Sequence, residues 1–168
     1  MKETPITMST EEVRAILEDR KTQTRWVIKP QPFKNLGSSD NADLGSSGNT
    51  VRIDLLPYSP YGHLVLVGDR LWVRRNKEGK FIWRKTEADI WLEITGLRAE
   101  RLQEISEEDA IAEGISRSER TGRYLPSNCD YARWSFEILW DSHNAKRGHP
   151  WANNDWVQVI EFKRVLNG

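Results

Sequence analysis

The stretch "DIWLEITGLRAERLQEISEEDAIAEGI", residues 89–115, changes its period halfway along. In its first half Ile90, Leu92 and Ile94 alternate with Trp91, Glu93 and Thr95, the two-residue repeat of a half-buried strand. Gly96 falls where a bulge is expected, because a residue without a side chain tolerates the local kink. The second half reads as a short helix. Ser106 is a good N-cap, Glu107, Glu108 and Asp109 occupy the electropositive first turn, and Gly114 closes the helix. Ile105 and Ala110 are spaced to form a small hydrophobic staple.

Working outward, "GHLVLVGDRLWVRR" (62–75) carries a Gly68-Asp69 turn signal. After it, Leu71 and Val73 alternate with Arg70, Trp72 and Arg74. "GKFIWRK" (79–85) is a further strand candidate. Near the N-terminus Ser9 and Glu12 form a capping box. Val13, Ile16 and Leu17 make one apolar face of a helix expected to end near Asp19 or Arg20. "TRWVI" (24–28) reads as a strand stopped by Pro30 and Pro32. Downstream, "DYARWSFEILWDSHN" (130–144) predicts a helix opened by Asp130, with Trp134, Phe136, Ile138, Leu139 and Trp140 as its apolar side. "WVQVIEFKRV" (156–165) predicts a closing strand. Residues 33–50, rich in Gly, Ser, Asn and Asp, are expected to be a mobile insertion in a single domain spanning 1–168. Sequential strands without βαβ alternation argue for an α+β fold around an antiparallel or mixed sheet. About six strands buried on both faces favour a small closed β-barrel with flanking helices.

Composition narrows the function classes. Lysine plus arginine equals aspartate plus glutamate, 25 each, so any nucleic-acid site must be a local patch rather than a global field. The single cysteine, Cys129, excludes an internal disulfide and fits a reducing cytoplasm. "MKETPITMST" lacks the apolar core of a signal peptide, and no apolar run approaches the ~20 residues of a membrane span. His63, His143 and His149 have no metal-ligand spacing, and neither phosphate-binding glycine motif occurs, so no metal and no cofactor are expected. Most of the eight tryptophans are expected in the core.

Two features stand apart from this plan. "RKTQTR" (20–25) gathers Arg20, Lys21 and Arg25 with two threonines at a helix end, with no acid after Asp19 to pair them. Lys21 and Thr24, three residues apart, can meet in a tight turn as a base and a nucleophile. The plainer reading is that the cations complement a helix C-terminus. Glu113 is the second: a carboxylate in the last turn of its helix opposes the dipole by ~0.3–1 kcal/mol, and the cations of 20–25 are candidate partners.

"RKTQTR" after a short helix, then "GDRLWVR", "LEITGLRAERLQEISEEDAIAEGI" and the terminal "WVQVIEFKRV" together resemble the ASCH domain family, PUA-like β-barrels, and most of all its phage and prophage group. The resemblance covers nearly all of the chain outside 33–61. It implies a cleft beside the "RKTxT" turn and a partner that is RNA or a modified nucleoside. One branch of the family hydrolyses the amide of N4-acetylcytidine with a lysine, a threonine and a glutamate, which match Lys21, Thr24 and Glu113. On that reading Arg20, Arg25 and Trp26 are the candidate substrate-binding residues. The family pattern is altered at Arg25-Trp26 and at Arg74-Arg75-Asn76-Lys77, and a shorter "KEGKFIWRKTEAD" replaces a longer cleft-forming stretch. Three readings stay open. The first is an amidohydrolase of acylated nucleosides. The second is a non-catalytic RNA-binding module gripping phosphates with Arg20, Lys21 and Arg25 and stacking a base on Trp26 or Trp72. The third is a ribonuclease using the same cations.

Overall fold

The computed structural model describes residues 1–29, 31 and 65–166. The expected insertion at 33–50 lies outside these residues. In chain order the elements are β1 (Glu3–Thr7), α1 (Thr10–Leu17), β2 (Gln23–Val27), β3 (Arg70–Arg74), β4 (Asn76–Lys77), β5 (Lys80–Phe81), β6 (Trp91–Arg101), α2 (Glu107–Ala112), α3 (Ala132–Asn144) and β7 (Trp156–Val165). Five strands form one mixed sheet in the order β1-β3-β6-β7-β2, and β4 and β5 form a separate hairpin. This is the α+β architecture expected from the sequence; among the described residues no pairing joins β1 to β2 to close the barrel.

The long β6–β7 pair is the spine of the sheet. Its register shifts between Ile94 and Gly96, so the bulge falls where the glycine predicted it. There the carboxylate of Glu161 occupies the space a β-carbon at 96 would need, 2.5 Å away. β1 pairs parallel with β3, an element the sequence did not mark because Pro5 interrupts its pattern; proline is tolerated here because the strand is at the margin of the sheet. Among the described residues two large cores lie on the sheet, beside a smaller cluster of Trp72, Ala88 and Trp91. One gathers Ile6, Val13, Ile16, Leu71, Ile94, Ile160 and Phe162 against α1. The other gathers Leu102, Ala110, Phe136, Trp140, Trp151 and Val157 between β7, α2 and α3.

α1 has the full capping box: Glu12 N–H donates to Ser9 Oγ and Ser9 N–H to Glu12 Oε2. α3 departs from the sequence reading in two respects. Asp130 does not open it. The carboxylate of Glu107, at the start of α2, accepts from the backbone N–H groups of Ala132 and Arg133 instead. Its buried stripe is Ala132, Ser135, Phe136 and Trp140, whereas Trp134 and Ile138 are exposed. That stripe faces α2 and the second core, and Trp134 and Ile138 fall on the side turned away from them.

The β4–β5 hairpin is tied to the sheet by Asp89, whose carboxylate accepts from Arg75 Nη2 at 2.7 Å and Lys77 Nζ at 2.8 Å. The Arg75 hydrogen bond leads in holding this carboxyl down at about 2, below its ordinary 3.8. A depressed carboxylate stabilises the fold fully above its unfolded value and loses that contribution as pH falls through the folded one. The Asp89 contribution is therefore expected to fade between about pH 4 and about pH 2. Urea titrations of wild type and Asp89→Asn should diverge above this window and converge below it.

Candidate active site

The turn that carries the cations is clamped on three sides. Asp19 takes a left-handed conformation (φ 55°) and ends α1, and the N–H groups of Arg20 and Lys21 both return to the carbonyl of Ala15. Thr22 N–H donates to Ala112 O at the end of α2, and Thr22 O accepts from Phe162 on β7. A backbone bridge pairs Lys21 with Glu113. The turn is thus held against the C-terminus of α2, not only against that of its own helix.

This placement answers the charge question. Lys21 Nζ donates to Glu113 Oε2 and to the Glu113 carbonyl, both at 2.9 Å, and lies 3.7 Å from Glu12 Oε1. Arg25 Nη1 donates to the other oxygen, Glu113 Oε1, at 2.7 Å. Arg20 Nη1 donates to the Gly114 carbonyl at 2.9 Å, so the plainer dipole reading also holds, for α2 rather than α1. Glu113, set against its own helix dipole, is compensated by two buried cations: the side chains of Lys21, Arg25 and Glu113 are 3%, 1% and 6% exposed.

Behind this triad the network continues. Arg25 also binds Glu100 at 2.7 Å and Asp109 at 3.1 Å, Gln23 donates to Asp109 at 2.6 Å, and Arg98 reaches Glu100, Asp109 and Glu161. For Arg25 burial is the largest single influence and works against its charge, but Glu113 and Glu100 together outweigh it and hold the guanidinium above its ordinary value. Burial likewise opposes ionisation of Asp109. The Gln23 hydrogen bond and the charges of Arg98 and Arg25 overcome it and hold that carboxyl below its ordinary value.

A cavity of about 140 Å³ opens beside the triad. Lys21, Thr24, Arg25, Glu113 and Glu12 supply its polar side, and α3 supplies Phe136, Leu139, Trp140, His143 and Asn144. The three candidate catalytic residues therefore share one cleft. Lys21 reaches the carboxylate; among the described residues it makes no hydrogen bond to the Thr24 hydroxyl. Of the candidate binding residues only Arg25 lines the cavity. Arg20 stands outside it, bound to Glu18 and Gly114. Trp26, open from the sequence to either a stacking face or a place in the core, is a core ring, 8% exposed among residues such as Ile6 and Val13, and does not line the cavity. Trp72 is likewise covered, by Ala88 and Trp91. The α3 contribution was missed, although Phe136, Trp140 and His143 recur at four- and three-residue spacing along the stripe that faces the site. Among the described residues no group of His, Cys, Asp and Glu is placed to hold a metal ion, and no helix is long and apolar enough to cross a membrane.

Gly114 sets the closeness of this assembly. It has φ 94°, and a β-carbon there would stand 2.9 Å from the β-carbons of both Ala15 and Lys21. Neither neighbour is the free end of a flexible chain. Gly114→Ala should therefore cost about 2–4 kcal/mol, combining backbone strain with overpacking, and should displace Lys21 from Glu113. Chemical denaturation measures the first effect.

No protein-family model and no curated protein matches the chain. It is similar to several solved structures. One is the ASCH domain from Lactobacillus crispatus JV V101, at 16% identity over 99% of this chain and 81% of that one, with a TM-score of 0.49. Another is a DUF984 protein from Enterococcus faecalis V583, at 13% identity over 91% of this chain and 66% of that one, TM-score 0.47. A third is a mutant of the ASCH protein from Zymomonas mobilis, at 10% identity over 96% of this chain and 68% of that one, TM-score 0.41. The family named for two of these three structures, ASCH, is the one that the sequence motifs resemble.

Proposed function

We propose that the chain is an ASCH-type, PUA-like domain that hydrolyses the amide of an acylated nucleoside of the N4-acetylcytidine kind. The observation that carries this reading is the shared cleft of Lys21, Thr24 and Glu113, with its cations already paired. The cavity is close to the about 150 Å³ that holds one benzene ring and well below the roughly 300–1,000 Å³ of sites for larger ligands, which suits a single base or acyl group. Phe136, Leu139 and Trp140 offer it an apolar wall.

In this reaction Thr24 Oγ1 attacks the acyl carbonyl carbon and its proton passes to Lys21 Nζ. The C–N bond breaks, the exocyclic amine leaves with the proton returned by Lys21, and the acyl group remains as an ester on Thr24. Water then attacks the ester, releasing the carboxylic acid and restoring the hydroxyl. To act as the base, the paired Lys21 ammonium must first give up one proton; the two N–H bonds that remain are accepted by the carboxylate and the carbonyl of Glu113, and the lone pair is left for the threonine proton. Glu113 accepts from Lys21 and Arg25 together, so its part is to orient the lysine.

The phosphate-gripping alternatives fit the site less well. Lys21 and Arg25 are buried and committed to Glu113, Glu100 and Asp109, and a phosphate would meet those carboxylates as well as the cations. Incubating the purified chain with N4-acetylcytidine, and following cytidine and acetate together, tests the proposal. Release of both in equal amounts is the expected result; an intact substrate overturns the assignment.

A further inference from the structure

We infer that the β4–β5 arm is a second, separate binding surface, and that its partner is a single-stranded nucleic acid. The arm concentrates positive charge in a chain whose net charge is zero. Between 74 and 89 stand Arg74, Arg75, Lys77, Lys80, Arg84 and Lys85 against three carboxylates, Glu78, Glu87 and Asp89. It also presents an aromatic platform. Trp83 is 65% exposed, the most exposed tryptophan among the described residues, and its ring lies 4.3 Å from that of Phe81, centroid to centroid.

The pair is built by strand geometry. Residues 81 and 83 share one side of an extended segment, and Ile82 between them is buried and pinned by its N–H to the Arg75 carbonyl at 2.8 Å. Phe81 thus braces the indole while Ile82 anchors the backbone beneath it. A ring held this way keeps one face to solvent with little entropy left to lose on stacking.

The cations around it are available in different degrees. Arg75 and Lys77 are held by Asp89, and Lys85 by Glu3. Lys80 is 77% exposed and meets Glu87 only at 3.5 Å, a contact a phosphate readily replaces. Arg84 is exposed and forms no ion pair among the described residues. An exposed base-stacking ring flanked in sequence by Lys80 and Arg84 is what a single strand requires: a face for a base and cations for the adjacent phosphates. A duplex keeps its bases stacked on one another and has no use for Trp83. The arm stands apart from the Lys21–Glu113 cavity, and no residue lines both. It therefore goes beyond the hydrolytic reading and does not rest on it.

The test is fluorescence anisotropy with a labelled 12-nucleotide single strand, as RNA and as DNA, and with the corresponding duplex, over a range of salt. The wild type should bind the single strands in preference to the duplex, with affinity falling steeply as salt rises. Trp83→Ala should weaken single-strand binding about 10-fold or more. Lys80→Ala with Arg84→Ala should flatten the salt dependence while leaving the tryptophan contribution in place. All three side chains are solvent-facing, and unchanged thermal melting of the variants confirms that folding is intact. Several outcomes overturn the inference: no binding by the wild type at low salt, equal binding of duplex and single strand, unchanged affinity in Trp83→Ala, or loss of self-association in that variant where light scattering shows the wild type to be oligomeric. Hydrolysis of free nucleoside by Trp83→Ala separates the two proposals, because it should equal that of the wild type whichever way binding falls.

Discussion

Thr24→Ala should lower kcat for amide hydrolysis by at least about 10³-fold and leave the fold intact. In the proposed reaction the threonine hydroxyl is the attacking group, and its removal leaves only binding and the surrounding dipoles to assist water. The substitution also removes the γ-methyl, but the other cavity-lining side chains stay in place, so KM should change little. Lys21→Ala should lower kcat by about 10²–10⁴-fold through loss of the base. Its effect on stability is where the structure alters the expectation. A surface lysine could be removed without cost, but Lys21 is buried and donates both to the Glu113 carboxylate and to a carbonyl at the end of α2. Lys21→Ala should therefore also lower the melting temperature, and Thr24→Ala should not. Steady-state kinetics alongside calorimetry of both variants checks the pair. Wild-type kcat in either one would remove that residue from the mechanism.

Arg25→Met should destabilise the fold by about 3–5 kcal/mol, the range for removing one partner of a buried ion pair. Methionine fills much of the same space, so the loss is electrostatic. Glu113 keeps Lys21, Glu100 keeps Arg98, and Asp109 keeps Arg98 and Gln23, but each loses its most deeply buried partner. For a chain of this length the change corresponds to roughly 6–20 °C in Tm. Adding Glu113→Gln to Arg25→Met should recover part of the loss, since it removes a carboxylate left with less compensation. A double-mutant cycle by urea denaturation reads the coupling directly. An additive cycle would mean that the pair contributes nothing beyond the separate residues. On the proposed mechanism the double variant should be inactive, because residue 113 no longer orients Lys21 as a carboxylate does.

These effects also show where the sequence was a sufficient guide. Elements whose signals are local came out as read. The alternation of Ile90, Leu92 and Ile94, the bulge at Gly96, the Ser9–Glu12 capping box and the Ser106-to-Gly114 frame of α2 each depend on residues a few positions apart. Turn and cap chemistry is short-range, so it is written in short-range sequence. The pairing of Glu113 with the 20–25 turn was also legible, because each was an electrostatic misfit by itself and each could correct the other.

Tertiary structure decided the rest. Arg25 looked unpaired because its partners Glu100, Asp109 and Glu113 lie 75 to 88 residues away, and nothing in a linear reading weights distant carboxylates by proximity. α3 carries apolar residues on more than one side. Two of the candidates, Trp134 and Ile138, point to solvent, while the stripe of Ala132, Ser135, Phe136 and Trp140 points inward. Which face of α3 turns inward is set by its docking on α2 and the second core, which a count of apolar side chains does not express. The same docking brings His143 and Asn144 to the cavity and lets Glu107 cap a neighbouring helix as well as begin its own. Trp26 went into the core for a related reason: in a strand whose two faces are both covered, alternation no longer distinguishes inside from outside. Sequence alone named the candidate residues. Long-range packing determined which of them meet, which are neutralised by a partner, and which are left facing solvent.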